Sequence, residues 1–262
     1  MRQLRHNSDG DLKKMDKIDF EKIGYEDFRR FAEDPTMSTY EKIGFPDSYR
    51  QGNEGQIFAD ILAKLPPLDE SRKRVLDIGP GCSDLPRLLI EKCAEREHQL
   101  FLVDSSEMLL LLPDRPFIHK VSAQFPFCPK EIASWKGSLD VVLCYSVLHY
   151  LVAEVPALKW FDATLSLLAP GGHLLLGDIP NISKRKRFFS SESGVRFHQE
   201  LMKTTARPEV EFNRLESDQI DDTFLISLVS RARSAGFDAY LIPQNPALPM
   251  ANRREDLLIV RP

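Results

Sequence analysis

Short apolar segments that alternate with amphipathic segments of helical length are the feature that most constrains the fold of this chain. Buried-strand patterns occur at 74–78, 99–103, 117–121, 139–144 and 173–177, and two more follow at 239–242 and 257–260. Helical periodicity separates several of them, for example at 84–95. This alternation is typical of a mainly parallel α/β sheet with right-handed crossovers, in which ligands bind beyond the carboxyl ends of the strands.

The composition excludes several classes of protein. Hydrophobic residues make up 42% and charged residues 28% of the 262 residues, which excludes a largely disordered chain. The formal net charge of −4 gives no overall attraction for phosphate backbones, so no nucleic-acid partner is expected. No apolar run reaches the roughly 18–20 residues that a bilayer-spanning helix needs, so no membrane insertion is expected. The four cysteines lack metal-site spacing, and we expect reduced thiols, no metal and a cytoplasmic location.

The chain divides into an N-terminal arm with short helices at 1–50 and a main domain at 51–262. The arm offers a surface for a homo-oligomer or for a complex with another protein. It repeats Glu-Lys-Ile-Gly before an aromatic residue, at 21–25 and 41–45, and each copy is interpreted as a short helix ended by its glycine, with the aromatic packed on the main body. The polar stretch 181–221 is predicted to be an insertion over the mouth of the sheet.

The most informative motif lies where the first predicted strand meets its helix. Asp77 precedes Gly79 and Gly81 here, and Asp104 ends the second predicted strand. Glycines at this junction let the backbone approach a ligand, and a carboxylate at the tip of the second strand can accept both hydroxyls of a ribose. A dinucleotide motif needs a third glycine, but Asp84 stands there and would repel a pyrophosphate. The acid before the glycines instead favours a ligand with positive charge, such as S-adenosylmethionine.

The segment 74–180 resembles the class I S-adenosylmethionine-dependent methyltransferases, in particular their small-molecule branch. Asp77, Gly79 and Gly81 match the first motif of that family, with Ser83 in place of its third glycine, and Leu-Ala-Pro-Gly-Gly at 168–172 matches a later turn. The resemblance implies a Rossmann-like, seven-stranded, mainly parallel sheet with an antiparallel last strand and helices on both faces. It also implies S-adenosylmethionine as the cofactor.

The same resemblance implies a set of cofactor contacts. Asp104 corresponds to the ribose-binding acid of the family, and Met108 lies where an apolar residue packs on the adenine. The family often has an acid after the third strand, whereas this chain has Ser122 and Gln124, to which adenine recognition is assigned. The predicted cofactor-binding residues are Asp77, Gly79, Gly81, Asp104, Met108, Ser122, Gln124 and Tyr145.

Catalytic and acceptor-binding candidates lie after the fourth and fifth predicted strands. His149 and Asp178 follow these strands at the ligand edge, where either could remove a proton from an acceptor hydroxyl. The basic run at 183–187 opens the insertion, and charge-assisted hydrogen bonds from it suit a phosphate-bearing acceptor. The predicted substrate-binding residues are Lys184, Arg185, Arg187 and His198.

Three functions are compatible with these patterns. The leading hypothesis is an enzyme that transfers a methyl group from S-adenosylmethionine to a small polar acceptor, with a hydroxyl of a sugar, a nucleotide-sugar or a natural-product intermediate favoured. The alternative is a non-catalytic partner subunit of the same fold, which the long N-terminal arm supports. A NAD-binding oxidoreductase is the third, and Asp84 and the missing third glycine disfavour it.

Overall fold

The computed structural model describes residues 23–214 and 219–262, so the predicted arm at 1–20 lies outside the described residues. Within this part of the chain, seven strands form one sheet in the order β3-β2-β1-β4-β5-β7-β6. The strands are β1 (Arg74–Ile78), β2 (Gln99–Asp104), β3 (Ile118–Ser122), β4 (Leu139–Tyr145), β5 (Leu168–Pro180), β6 (Asp238–Pro243) and β7 (Arg254–Val260). Strands β1 to β5 run parallel, whereas β7 is antiparallel to β5 and to β6. The predicted Rossmann-like sheet is confirmed.

Helices precede the sheet and connect most of its strands. They are α1 (Tyr25–Glu33), α2 (Thr39–Lys42), α3 (Asp47–Arg50), α4 (Glu54–Lys64), α5 (Asp84–Glu95), α6 (Ser106–Leu110), α7 (Pro129–Trp135), α8 (Leu148–Glu154), α9 (Ala157–Leu165), α10 (Ile182–Ser190), α11 (Glu192–Met202) and α12 (Asp222–Ser234). Among the residues described, no helix has the length and apolar composition needed to cross a membrane.

The central strands are apolar throughout because helices cover both faces of the sheet. Successive residues of a strand point to opposite faces. In β1, Val75 therefore packs into one hydrophobic cluster and Leu76 into another. The cluster on the first face includes Ile61 of α4, and the cluster on the second includes Phe161 of α9 and Leu228 of α12. Helices on both faces were predicted, and this arrangement confirms them.

The carboxyl ends of β1, β2 and β4 lie side by side at one edge of the sheet. Parallel pairing aligns Ile78 of β1 with Val103 of β2, and Asp77 of β1 with Leu143 of β4. The chain leads outward from β1 through β2 to β3 and then returns to the other side of β1 with β4. This reversal of strand order leaves a crevice above the strand ends, which is where ligands bind in open α/β sheets.

The two segments outside the regular alternation are also helical. In the second copy of the repeat, Gly44 follows α2, as predicted. In the first copy, Gly24 begins α1, because its N–H donates to the side chain of Asp27 and caps the helix start, while the predicted helix before it falls on residues outside those described. The insertion 181–221 contains α10 and α11, which pack on each other, and α10 also packs on α12.

Candidate active site

A pocket with an empty space of about 870 Å³ lies above the carboxyl ends of β1, β2 and β4. A volume of this order suits a ligand of cofactor size. The walls are the loop after β1, residues that follow β2, β3 and β4, and the N-terminal segment 25–50. The structure brings most of the predicted cofactor-binding residues together in these walls, namely Gly79, Gly81, Asp104, Met108, Gln124 and Tyr145.

The loop between β1 and α5 faces the pocket with its backbone. Gly79 and Gly81 have φ angles of 71° and 66°, which residues with a side chain adopt only at a cost. A Cβ atom on Gly79 would lie 2.8 Å from Cγ2 of Val147, and one on Gly81 would lie 2.6 Å from Cγ2 of Ile43. Both backbone conformation and space therefore require glycine here.

Asp104 and Met108 form the wall at the end of β2. Oδ2 of Asp104 accepts a hydrogen bond from the N–H of Gly81 at 3.0 Å, and Oδ1 accepts one from the N–H of Ser105 at 2.7 Å. Burial raises the pKa of Asp104 to about 6, although these two hydrogen bonds lower it. Each carboxylate oxygen keeps a lone pair for a ribose hydroxyl. Met108 is buried and lines the same pocket with its apolar side chain.

Two further carboxylates lie behind the loop. Asp77 is 4% exposed, and burial together with the neighbouring Asp104 raises its pKa to about 8. Glu54, at the start of α4, is 3% exposed, and neither of its carboxylate oxygens makes a hydrogen bond of normal geometry. Burial raises its pKa, although the charge of Arg50 and, to a smaller extent, Ser83 and the N–H of Leu85 lower it. Sequence reasoning missed Glu54, because an acid at a helix start is common on protein surfaces.

These carboxylates make the pocket suited to a cationic ligand. No lysine or arginine among the described residues forms an ion pair with Asp77, Asp104 or Glu54. Burial disfavours the ionised form of each acid, and a positive charge bound nearby would offset that cost. A pyrophosphate would instead bring more negative charge to the same place. The residues present therefore fit the ammonium and sulfonium groups of S-adenosylmethionine better than a dinucleotide.

Of the two residues to which adenine recognition was assigned, Gln124 lines the pocket and Ser122 does not. Ser122 is exposed and does not line the pocket, whereas Ala123 and Gln124 do. Nε2 of Gln124 donates to Oε2 of Glu154 at 2.6 Å, and Oε1 of Glu154 accepts a hydrogen bond from the N–H of Tyr25 at 3.0 Å. Gln124 is thus held at the pocket edge by a carboxylate that also fixes the start of α1.

The N-terminal segment supplies a wall that sequence reasoning missed. Its pocket-lining residues are Tyr25, Phe28, Ile43, Phe45 and Arg50. The Phe28 ring packs edge-on against Tyr150 with centroids 4.8 Å apart, which ties the segment to α8. The repeat in the sequence pointed to this wall, because Tyr25 and Phe45 are the aromatic residues of its two copies. Their packing on the main body is as predicted, and the surface that they pack on is the pocket.

A buried polar network connects the ends of β4 and β5. The hydroxyl of Ser146, which lines the pocket beside Tyr145, donates to Oδ2 of Asp178 at 2.5 Å. Arg50 and Arg254 form ion pairs with the same carboxylate, at 3.1 Å and 2.8 Å. Burial alone would raise the pKa of Asp178, but the two guanidinium groups outweigh it and the pKa is lowered. Asp178 is therefore an ionised carboxylate one hydrogen bond behind the pocket wall.

His149 lies near this network but does not line the pocket. Burial is the main cause that lowers its pKa to about 3, and the charge of Arg254 adds to the effect. Its Nδ1 is buried and has no hydrogen-bond partner. An imidazole of this pKa is neutral and only weakly basic near pH 7. The His149 ring contacts Tyr150 of the pocket wall, with centroids 3.9 Å apart, whereas Asp178 accepts a hydrogen bond from Ser146 of that wall.

The predicted substrate-binding residues do not share one environment. Lys184 donates to the backbone oxygen of Arg254 at 2.8 Å, and Arg187 forms an ion pair with Asp222. Arg185 and His198 instead line a second cavity of about 850 Å³ between α10, α11 and the loop 208–214. Lys186 lines the same cavity and donates to the backbone oxygen of Arg214 at 3.4 Å. The structure therefore separates the basic run into three residues that have partners in the chain and Arg185, which faces the cavity.

Comparisons with known proteins agree with this geometry. A family model described as a methyltransferase domain matches residues 49–205. The search of curated proteins found no match. Among solved structures, the chain is similar to the CurJ carbon methyltransferase, with a TM-score of 0.54 and 15% identity over 97% of this chain and 70% of that chain.

For two further solved structures, the match covers nearly the whole of the other chain. One is the N-methyltransferase NodS from Bradyrhizobium japonicum WM9 in complex with S-adenosyl-L-homocysteine, with a TM-score of 0.50 and 13% identity over 91% of this chain and 98% of that chain. The other comes from a complex with the Haloferax volcanii Trm112 methyltransferase activator, with a TM-score of 0.52 and 14% identity over 90% of this chain and 97% of that chain. At these identities the likeness concerns the fold.

Proposed function

Because this chain belongs to the methyltransferase-domain family, whose methyl donor is S-adenosylmethionine, we propose that it methylates a hydroxyl oxygen of a small polar acceptor. The observation that carries the proposal is the set of buried carboxylates at the glycine loop. Asp77, Asp104 and Glu54 all have raised pKa values, and none forms an ion pair with a described lysine or arginine. A cationic cofactor supplies the missing positive charge.

We assign different pocket residues to the three parts of the cofactor, which are the methionine end, the ribose and the adenine. The backbone of Gly79 and Gly81 would hold the methionine end, and the carboxylate of Asp104 would accept the ribose hydroxyls. Met108 would pack on the adenine, with Gln124 at its edge. When bound, S-adenosylmethionine supplies an electrophilic methyl group. The N-terminal segment 25–50 would then close the pocket over it and exclude water.

Ser146 and Asp178 are the groups that we assign to the acceptor. In the proposal, the acceptor hydroxyl would bind at the Ser146 side of the pocket. Ser146 would accept the acceptor's proton and pass its own proton to Asp178, as the new carbon–oxygen bond forms and the methyl–sulfur bond of the cofactor breaks. A carboxylate with a lowered pKa is a weak base, so most of the rate enhancement would come from holding the acceptor in line with the methyl carbon. His149 stays a candidate base, and its pKa of about 3 makes it a weak base as well.

The acceptor atom differs among the structural neighbours. One of them is a carbon methyltransferase and another is an N-methyltransferase, so the shared sheet accommodates different acceptors. A hydroxyl is favoured here because the polar pair of Ser146 and Asp178 lies at the pocket beside the end of β4. The cavity beside α10 adds Arg185 and His198 as candidate contacts for the rest of the acceptor.

Thermal unfolding with added ligands tests the cofactor assignment. A ligand present at 100 times its Kd should add about 2.7 kcal/mol to the free energy of unfolding. We expect S-adenosylmethionine and S-adenosylhomocysteine to stabilise the protein and NAD to leave it unchanged. The variant Asp104→Ala should lose the response to both ligands. Stabilisation by NAD alone would reject the proposal in favour of an oxidoreductase.

Methyl transfer itself is tested by release of S-adenosylhomocysteine with a panel of alcohols, amines and thiols. Turnover with an alcohol, and not with its amine analogue, supports the hydroxyl assignment. Turnover with amines only would replace the acceptor atom in the proposal. Cofactor binding without turnover on any acceptor class would favour the non-catalytic partner subunit. His149→Ala belongs in the same assay, and unchanged turnover would remove His149 as a base.

A further inference from the structure

The basic residues at the start of α10 differ in whether their charge is paired. Arg187 forms an ion pair with Asp222, and Lys184 donates to the backbone oxygen of Arg254. The guanidinium of Arg185, by contrast, forms neither an ion pair nor a hydrogen bond with any residue that the structure describes. A local positive charge without a counter-ion therefore remains at the second cavity.

Arg253 is a second guanidinium without a carboxylate partner. It directly precedes β7, and its side chain makes one long hydrogen bond, of 3.4 Å, to Oδ1 of Asn252. Its backbone oxygen accepts a hydrogen bond from the N–H of Asn181 at 3.1 Å, and Asn181 caps the start of α10. This contact joins the residue before β7 to the first turn of the helix that carries Arg185.

The two guanidinium groups rest on aromatic rings that contact each other. Arg185 lies 5.5 Å from the ring centroid of Phe189, and Arg253 lies 5.9 Å from that of Phe197. The two ring centroids are 6.3 Å apart. A cation–π contact holds a guanidinium by its face and leaves its N–H donors free for another partner. Both side chains are thus held in place with most of their donors unused.

Electrostatics between these groups is unfavourable as they stand. Burial is the main cause that lowers the pKa of Arg253. The charges of Arg254 and Arg185 lower it further, whereas Tyr49 and Asp178 raise it. Arg254 forms an ion pair with Asp178, but neither Arg185 nor Arg253 forms one with a carboxylate that the structure describes. A bound oxyanion would remove their repulsion and accept their free N–H donors in forked hydrogen bonds.

We propose that Arg185 and Arg253 bind an oxyanion group, a phosphate or a carboxylate, of the methyl acceptor. The inference rests on the proposed function, because it takes the ligand to be the molecule that is methylated. The position fits that role, since Arg254, the next residue after Arg253, contacts the carboxylate that we assign to the acceptor hydroxyl. The anion would anchor one end of the acceptor while Ser146 meets the other.

The cavity beside Arg185 has room for the body of such a molecule. Arg185, Phe189 and His198 line it on the helical side. Glu209 and Glu211 line the side formed by the loop 208–214. Glu211 lies 3.6 Å from Arg214, so part of this acidic charge is neutralised within the loop. The anion is therefore assigned to the side formed by α10 and the start of β7.

Calorimetric titration with two simple oxyanions tests the site. The full-length protein, the variants Arg185→Gln and Arg253→Gln, and the control Arg231→Gln are titrated with inorganic pyrophosphate and with citrate, at an ionic strength held constant with chloride. The control removes Arg231, an arginine on the surface of α12 that forms an ion pair with Asp162 of α9. We expect the wild type to bind, each test variant to bind about tenfold more weakly, and the control to bind like the wild type.

The two probes separate the sources of the anion. Tighter binding of pyrophosphate assigns a phosphate-bearing acceptor, and tighter binding of citrate assigns a carboxylate-bearing one. No binding by the wild type, unchanged binding by both test variants, or equal weakening in Arg231→Gln would overturn the site. Arg253→Lys keeps the charge without the fork and should bind with intermediate affinity, which guards against misreading a folding defect.

S-adenosylhomocysteine binding by the same proteins separates this inference from the proposed function. All variants should bind it like the wild type, which also shows that they are folded. If the wild type fails to bind S-adenosylhomocysteine, the proposed function fails. The oxyanion titration still tests whether Arg185 and Arg253 bind an anion.

Discussion

The hydroxyl oxygen of Ser146 lies 2.5 Å from Oδ2 of Asp178, and both residues have left-handed backbone conformations, with φ angles of 61° and 57°. Residues with side chains adopt this region at a cost of about 1 kcal/mol or more, and such residues concentrate at ligand sites. Two of them at the ends of neighbouring strands aim a hydroxyl and a carboxylate at each other beside the pocket. The backbone strain is therefore part of how these two side chains, which we assign to the acceptor, are positioned.

Replacement of Ser146 separates strain from hydrogen bonding. Ser146→Ala loses the bond to Asp178 and keeps the strained backbone, so the free energy of unfolding should fall by about 1–2 kcal/mol. Ser146→Gly loses the same bond but relieves the positive φ, and it should be more stable than the alanine variant by about 1 kcal/mol. Urea unfolding measures both. Equal stability of the two variants would show that the backbone is not strained, and full methyl transfer in both would remove Ser146 from the acceptor site.

Asp178→Asn should be far more destabilising, because it leaves Arg50 and Arg254 buried without their shared carboxylate. Removing one partner of a buried ion pair costs about 3–5 kcal/mol. The matched control is Asp162→Asn, which breaks an exposed pair with Arg231 and should change stability much less. Thermal and urea unfolding give the comparison. A similar, small loss in both variants would contradict the view that Asp178 neutralises the network.

Alanine at Gly81 tests whether the N-terminal segment forms the roof of the cofactor pocket. The new Cβ would meet Ile43 at 2.6 Å, so the segment must move and affinity for S-adenosylhomocysteine should fall. Gly171→Ala is the control, since Gly171 also has a positive φ, of 77°, but nothing lies within 4 Å of its Cβ position. Both variants should lose about 1 kcal/mol or more of stability from backbone strain. Calorimetry should show weaker binding of S-adenosylhomocysteine only for Gly81→Ala. Unchanged binding by that variant would contradict the view that the N-terminal segment forms the roof of the pocket.

Local patterns explain which parts of the fold and site could be predicted. The central strands of the sheet were identified because they are mainly apolar runs, as is typical of strands covered on both faces. Gly79, Gly81 and Asp104 were found for a similar reason, since a strand-to-helix junction and a strand tip are set by a few adjacent residues. Of the two residues assigned to the adenine, Gln124 lines the pocket and Ser122, the last residue of β3, does not.

Contacts between distant parts of the chain explain what the sequence could not show. Glu54 lies beside the glycine loop only after α4 packs against the sheet. The charge of Arg187 is cancelled by Asp222, a residue that lies beyond the insertion. Arg253 belongs to no sequence motif. It becomes a candidate for oxyanion binding only through the backbone hydrogen bond between Asn181, which precedes α10, and Arg253, which precedes β7. Charge pairing of this kind depends on tertiary structure, so a basic run alone did not reveal which of its members are free.

Glu54→Gln should stabilise the unliganded protein and weaken the binding of S-adenosylmethionine. An amide keeps the shape of the side chain and removes a buried charge without a partner, so the melting temperature should rise by about 2–4 °C for each kcal/mol recovered. The same change removes negative charge beside the loop that would hold the methionine end. Glu33→Gln, on the exposed surface of α1, is the matched control and should alter neither quantity. Stabilisation without a loss of affinity would show that Glu54 does not face the cofactor.

The pKa of Asp77, raised by burial to about 8 in the folded protein from its ordinary value of 3.8, predicts a pH-dependent penalty. Below about pH 4 the group is protonated in both folded and unfolded chains and costs nothing. As the pH rises toward 8, the unfolded chain releases this proton and the folded chain retains it, so the stability of the wild type should fall relative to Asp77→Asn. Saturating S-adenosylmethionine should shrink that pH dependence, because its positive charge favours the ionised carboxylate. Melting temperatures of both proteins from pH 4 to 8, with and without ligand, check this, and parallel curves without ligand would contradict it.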